Sequence, residues 1–207
     1  IDGFRCDVAG NVPTDFWQKT IPELRKEKNI FMLAEAWEPE LLKENLFDMC
    51  YNWDGHHTMN DIAQGKKNVS DWDKLMEAVS KKYEANDILM NFVDNHDENS
   101  WNGTMKSRLG NAEEAMTALS YLAPGMPLVY SGDEYGLNHS LKFFEKDSIP
   151  KTKGKQWNWR VKLGKLKNEN SALNGGKKAS KYTRISTNND AKILAFERSN
   201  DKAKVIY

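Results

Sequence analysis

The sequence predicts an α/β fold with a parallel sheet, closed by a short antiparallel β region. Two observations carry this. Over roughly the first 150 residues, short apolar runs alternate with helical patterns, and a strand, helix, strand order implies right-handed crossovers between parallel strands. Beyond Pro150 the chain turns Lys-, Asn- and Gly-rich and ends in three β-like runs at hairpin spacing.

Taken in order, Ile1 to Val8 reads as a strand, and Thr14 to Lys28 as a helix that Pro22 interrupts by removing a backbone donor. Ile30 to Ala34 (IFMLA) is continuously apolar and too short for a helix, which predicts a buried strand. Pro39 to Asn45 follows as a short helix and Phe47 to Trp53 as a third strand. Trp72, Leu75, Met76, Val79 and Tyr83 share one face of a 3.6-residue period, with Ser70 as N-cap and Asp73 in the capping-box position. Ile88 to Val93 is the fourth strand. Ala112, Ala115, Met116 and Leu119 mark a helix with Asn111 as cap and Glu114 at the capping-box position, and Pro127 to Tyr130 is the fifth strand, between Gly125 and Gly132. A helix near Val161–Asn168 precedes the closing runs Lys181–Thr187, Lys192–Arg198 and Lys204–Tyr207.

The 207 residues carry 30 Lys+Arg and 30 Asp+Glu, a zero formal charge that excludes nucleic-acid binding by bulk positive charge. Hydrophobic residues at 39% and charged residues at 29% fit a globular chain rather than a disordered one. No run approaches the roughly 18 apolar residues of a membrane span. The chain opens on IDGFRCDVAG and stops at KAKVIY, both of which read as the inside of strands; the expectation is a piece cut from a longer protein, with compartment unassigned. Cys6 and Cys50 have no metal-ligand spacing and read as buried free thiols.

In parallel α/β sheets, function collects at the carboxyl ends of the strands. The first predicted strand ends in Arg5 and Asp7, the second in Glu35, and the fourth in Asn95-His96-Asp97. Arg5 and Asp7, two apart on a strand, face the same side, and the guanidinium favours an ionised carboxylate. Glu35 closes the most apolar strand, where desolvation favours a protonated carboxyl. One ionised and one protonated carboxyl is the division of labour in glycoside hydrolysis. Singly, each residue has an ordinary explanation: Arg5–Asp7 as a structural ion pair, Glu35 or Asp97 as a cap, His96 as a hydrogen-bonded structural histidine. Trp37, Trp101 and Tyr135 follow strand ends, where an aromatic ring either stacks on sugar or anchors a loop. His56 and His57 read as loop-structural, since adjacent histidines diverge too far to share one metal.

As a set, the motifs resemble a known family. GFRCDVA (Gly3–Ala9), LAEAWEP (Leu33–Pro39) and FVDNHD (Phe92–Asp97) are similar, in order, to the second, third and fourth conserved regions of the α-amylase family of glycoside hydrolases, and GMPLVYSGDEYG (Gly125–Gly136) to its segment at the eighth barrel strand. The resemblance implies Asp7 as nucleophile, Glu35 as acid and then base, and Asp97 as the carboxylate that binds sugar hydroxyls. It implies Arg5, His96, Trp37 and Asn95 as substrate-side residues and an α-glucan or malto-oligosaccharide as substrate. It implies no cofactor and no metal at these residues. By motif order the fold is a partial (β/α)8 TIM barrel, strands four to eight, over residues 1–165, followed by the start of an antiparallel β domain over 166–207. The missing partner is then the N-terminal half of its own barrel.

The match has departures. Many members carry Lys-His three and four residues after the nucleophile, where this chain has Gly10 and Asn11. In those members the Lys helps bind the leaving sugar and the His position helps hold calcium, so the departure leaves both calcium binding and leaving-sugar specificity open, with any calcium left to the full-length parent. A transglycosylase or α-glucosidase of the same family is the alternative within the class. A non-catalytic glycan-binding relative is an alternative outside it, as is a metal-dependent barrel enzyme using strand-end carboxylates around Mg²⁺, which Arg5 disfavours by its charge.

Overall fold

In the computed structural model, which describes residues 1–207, five strands lie side by side in sequence order. They are β1 (Gly3–Cys6), β2 (Phe31–Ala34), β3 (Met49–Tyr51), β4 (Leu89–Asn91) and β5 (Met126–Pro127). Every neighbouring pair is parallel, in register from Gly3 opposite Phe31 to Asn91 opposite Pro127. All carboxyl ends therefore open on one rim. Close approach of the strands explains Gly125, at φ 116°, where an added Cβ would meet the Leu89 carbonyl oxygen at 2.2 Å.

Helix α1 (Thr14–Glu27) crosses from β1 to β2 and runs unbroken through Pro22, contrary to the expected interruption. Burial of Trp17 and Ile21 against Met32, Ala34 and Cys50 of the sheet is worth about 1.5–3 kcal/mol per side chain. That outweighs the roughly 3 kcal/mol a mid-helix proline costs. Pro39–Leu42 forms only a 3-10 turn, shorter than expected, because Glu44 and Asn45 take left-handed backbone at φ 53° and 58°.

Between β3 and β4 come α2 (Trp53–Ala63), which the sequence reading did not anticipate, and α3 (Val69–Lys82). The cap of α3 is Asn68 with Asp71, two residues before the expected Ser70 and Asp73: Asn68 Oδ1 accepts from Ser70 N and Asp71 Oδ2 from Asn68 N. Between β4 and β5 come α4 (His96–Trp101), α5 (Met105–Leu109) and α6 (Glu113–Leu122). Helix α6 has no side-chain cap; Ala112 holds the cap position and Asn111 sits in a preceding 3-10 turn. Its start is fixed by packing instead, since eight of its ten residues are buried.

Helix α7 (Lys155–Glu169) leads to a three-stranded antiparallel sheet, β6 (Lys181–Arg184), β7 (Phe196–Ser199) and β8 (Lys204–Ile206), in the predicted order. That sheet packs against the helices rather than against the parallel sheet itself. Phe196 is fully buried in one cluster with Trp72, Leu119, Leu122 and Leu163. Arg198, only 1% exposed, donates to the carbonyls of Leu122 at 3.0 Å and Asn174 at 3.1 Å.

Candidate active site

At the end of β1 the chain makes a sharp exit. Val8 takes left-handed backbone at φ 43°, ψ 43°, a conformation a β-branched residue holds only against strain. The exit aims its N–H at Glu35, whose Oε2 accepts at 2.7 Å. Ala9 N–H donates to the Glu35 carbonyl at 3.0 Å, and Glu35 N–H to Cys6 O at 3.0 Å, lacing the ends of β1 and β2 together. The indole of Trp17 on α1 donates to Ala9 O at 3.1 Å, so the crossover helix holds the turn that follows Asp7.

Arg5 projects from β1 into this corner and bridges both carboxylates. One terminal nitrogen pairs with Asp7 and the other lies 3.1 Å from Glu35 Oε2. Its Nε donates to the Tyr51 hydroxyl at 3.3 Å, and the guanidinium sits 5.7 Å from the centre of that ring. Burial, the largest single influence, opposes the charge, but the Tyr51 hydroxyl, Asp7 and Glu35 together raise the Arg5 pKa above its ordinary value. The carboxylates differ in setting: the Asp7 side chain is 76% exposed and that of Glu35 only 14%. Glu35 is thus shielded as expected, yet it is not isolated, because the Val8 amide and Arg5 both contact it.

Asp97 stands on the same rim two strands further on. No hydrogen bond or ion pair joins it to Asp7 or Glu35; its near neighbour is His96, with Nε2 at 3.4 Å from Asp97 Oδ2. Both are half-buried in the first turn of α4. Asn95 is turned inward at 1% exposure. Its Oδ1 accepts from Glu98 N at 2.8 Å as the α4 cap, while its amide nitrogen has no partner.

Beneath this turn lies a buried charged network that the sequence reading missed. Arg108 on α5 lies 2.7 Å from Asp94 Oδ1 and donates to the carbonyls of Val93 and Gly103 and to Asn60 Oδ1. Glu98 Oε2 lies 3.0 Å from His56 Nε2. Burial pushes the Asp94 carboxyl up to about 6 although Arg108 opposes it. Burial also acts upward on Glu98, but His56 and Arg108 outweigh it and hold that carboxyl below its ordinary range. His56 therefore has a structural role, as expected, but inside helix α2 rather than a loop, while His57 points to solvent. Arg108 offered no signal in the sequence because its segment has no hydrophobic period. Tyr51 was hidden because an aromatic at a strand end reads as core.

The remaining rim aromatics separate. Trp37 is 50% exposed, its carbonyl accepting from the Tyr83 hydroxyl. Tyr135 instead stacks on Trp157 at 5.6 Å, and Lys153 lies over that Trp ring. A calcium ion takes six to eight oxygen ligands. Gly10 packs against the Glu38 carboxylate, and no three His, Cys, Asp or Glu side chains in the chain are grouped as a metal ion requires.

A parallel sheet whose rim holds a guanidinium between two carboxylates defines an α/β protein with charged groups gathered at its strand ends. Residues 1–203 match the family model for the alpha-amylase catalytic domain, and the chain belongs to that family. It is 27% identical over 142 residues to an alpha-amylase of Haloarcula japonica, covering 66% of this chain and 20% of the relative. It is 30% identical over 155 residues to a 4-alpha-glucanotransferase of Thermotoga maritima, covering 66% of this chain and 32% of the relative. The fold matches the crystal structure of a maltogenic alpha-amylase from Thermotoga neapolitana with a TM-score of 0.85 at 24% identity, over 100% of this chain and 47% of that one. The chain thus spans about half the length of that structure and a third or less of these two curated relatives. The family fold is a TIM-barrel catalytic domain, and this chain contributes to it a parallel sheet with a small antiparallel one beside it.

Proposed function

We propose that the protein is a retaining α-glycosidase that hydrolyses α-glucosidic bonds in starch-like glucans or malto-oligosaccharides. In this reading, residues 1–165 supply barrel strands four to eight, residues 166–207 begin the antiparallel domain, and the N-terminal half of the barrel completes the cleft. The observation that carries the reading is Arg5, one planar group holding Asp7 and Glu35 on its two terminal nitrogens. Neighbouring nitrogens keep the carboxylates close, which supports the ~5–5.5 Å separation of retaining enzymes over the ~6.5–9.5 Å of inverting ones.

Asp7, exposed toward the cleft, attacks the anomeric carbon as Glu35 delivers its proton to the departing glycosidic oxygen; the C–O bond breaks and a glycosyl ester forms on Asp7. Water, deprotonated by Glu35, then cleaves that ester, and both carboxyls return to their starting states. Arg5 orients Asp7 through the ion pair between them. Asp97 and His96 bind sugar hydroxyls in the oxocarbenium-like transition state, Asn95 holds their turn, and Trp37 offers a stacking face.

The test is reducing-sugar release from soluble starch by the full protein beside Asp7→Asn, with the anomer of the first product read by proton NMR. Release of the α-anomer, lost in the variant, supports the reading; release that survives the substitution, or β-anomer as first product, overturns it. The glucanotransferase relative favours one further reading, transfer of the glycosyl unit to a sugar acceptor. Products longer than the starting malto-oligosaccharide are its signature.

A further inference from the structure

Beyond the carboxylate rim, the strand-end face carries three exposed aromatic side chains in mutual contact. Trp101 closes α4 at 62% exposure, and Phe143 and Phe144, at 42% and 86%, lie in the segment that follows the 3-10 turn Asp133–Tyr135. Ring centres are 5.3 Å apart for Trp101–Phe143 and 4.8 Å for Phe143–Phe144, at 42° and 72°. A single exposed ring is ordinary, but a contiguous apolar patch calls for a ligand or partner.

The segment is not a loose loop. Ser100 Oγ donates to Leu141 O at 2.9 Å, Leu141 N to Asn99 Oδ1 at 2.8 Å, and Lys142 N to Asp147 Oδ2 at 3.0 Å. The first two bonds pin the segment onto α4, the helix that begins with His96 and Asp97, and the third closes the segment on itself. Phe143 stacks at 6.0 Å and 28° on His96 itself. Both rings line a cleft of about 310 Å³, together with Tyr130, Glu145 and Asp147, at the lower end of the ~300–1,000 Å³ that small-ligand sites occupy.

We propose that Trp101, Phe143 and Phe144 form a glucan-stacking subsite, continuous with the catalytic cleft at His96, that takes a glucosyl ring one or more units away from the scissile bond. Aromatic faces offer dispersion contact to the C–H face of a pyranose, and the Glu145 and Asp147 carboxylates beside them can accept from its hydroxyls. The contact of Phe143 with His96 places the patch beside the carboxylate rim, which favours a sugar ligand as its occupant.

The inference rests on the α-glucan reading above, and its test separates the two. In the full protein carrying Asp7→Asn, so that glucan is bound and not consumed, calorimetry measures Kd for maltose and for maltoheptaose. The expected result is that Trp101→Ala with Phe144→Ala raises the maltoheptaose Kd, relative to that of maltose, by about tenfold or more, and that Phe144→Tyr restores most of it. An unchanged ratio overturns the subsite and leaves the glucan reading intact, as does equal weakening of both ligands, which marks a structural effect. If the Asp7→Asn protein binds neither sugar and the unsubstituted protein releases no sugar from starch, both readings fall together. At 86% exposure Phe144 is replaceable without loss of core, and far-UV circular dichroism verifies the fold of each variant.

Discussion

The imidazole of His56 lies 3.0 Å from the carboxylate of Glu98, joining helix α2 to helix α4 beneath the His96-Asp97 turn. Its other ring nitrogen faces Phe92 O at 3.1 Å, so one buried side chain ties two helices to the end of strand β4. Arg108 closes the network from α5, 2.7 Å from Asp94 and 4.0 Å from Glu98. Removing one member of such a set leaves uncompensated charge, which costs about 3–5 kcal/mol. Arg108→Ala should lower stability by that amount in urea unfolding. Arg108→Lys should recover less than half, because a single ammonium cannot replace the fork that reaches Asp94, Asn60 and two carbonyls. A loss below about 1 kcal/mol for Arg108→Ala would show that the network is dispensable.

Val8 gives the second prediction. Left-handed backbone costs a non-glycine residue about 1–2 kcal/mol, and glycine avoids this while losing about 0.5–1 kcal/mol in chain entropy. Val8→Gly should therefore keep the fold and gain up to about 1.5 kcal/mol. Val8→Pro should do the reverse, since proline fixes φ near −65° and deletes the N–H that reaches Glu35. Thermal unfolding of the pair decides it: equal melting points would mean the turn imposes no strain.

What the sequence made legible follows a physical line. Arg5, Asp7, Glu35 and Asp97 could be read because each ends an apolar run, and parallel topology sends all such ends to one rim. The strands were readable for the same reason, though their ladders are shorter than the apolar runs, since residues such as Val8 leave the sheet to build the rim. Helix α2 was opaque because its inward positions are polar: His56 and Asn60 are buried, and the partners that satisfy them, Phe92 and Arg108, lie 36 and 48 residues away. Caps were misplaced at Ser70 and Asn111 because several small polar residues compete at each helix start, and only packing decides between them. The link from Phe143 to His96 is tertiary and left no periodic trace.

Arg5 gives the third prediction. Lysine keeps the charge but presents one point donor, so it can face Asp7 or Glu35 and not both. Losing one charge-assisted hydrogen bond is worth about 1.5–3 kcal/mol. Arg5→Lys should therefore lower kcat/KM on malto-oligosaccharides by about 10- to 100-fold while the melting point stays near that of the parent. Activity within twofold of the parent would mean that the bridge between the carboxylates has no part in catalysis.

Asp133 and Arg160 carry the last prediction, because they make stability depend on pH in an unusual direction. Both are buried, at 3% and 6% exposure, with the guanidinium 3.7 Å from the carboxylate. Burial pushes the Asp133 carboxyl up to about 7, against the opposing pull of Arg160 and with added repulsion from Asp94. The native state thus binds this proton more tightly than the unfolded chain, where the group titrates near 3.8. Stability contributed by the neutral form is whole below about pH 4, declines as pH rises from about 4 to about 7, and does not change further above that. Asn approximates the neutral carboxyl and leaves the bond from Arg160 to Gln156 Oε1 in place. Asp133→Asn should therefore match the parent in urea midpoint at pH 4 and exceed it progressively up to pH 7, with a constant margin beyond. Groups that do not interact with Asp133 cancel in the difference, and Asp94, which does, is expected to contribute to it. A margin that is flat from pH 4 to pH 8, or that favours the parent at high pH, would show that ionised Asp133 is stabilised by Arg160 rather than penalised by burial.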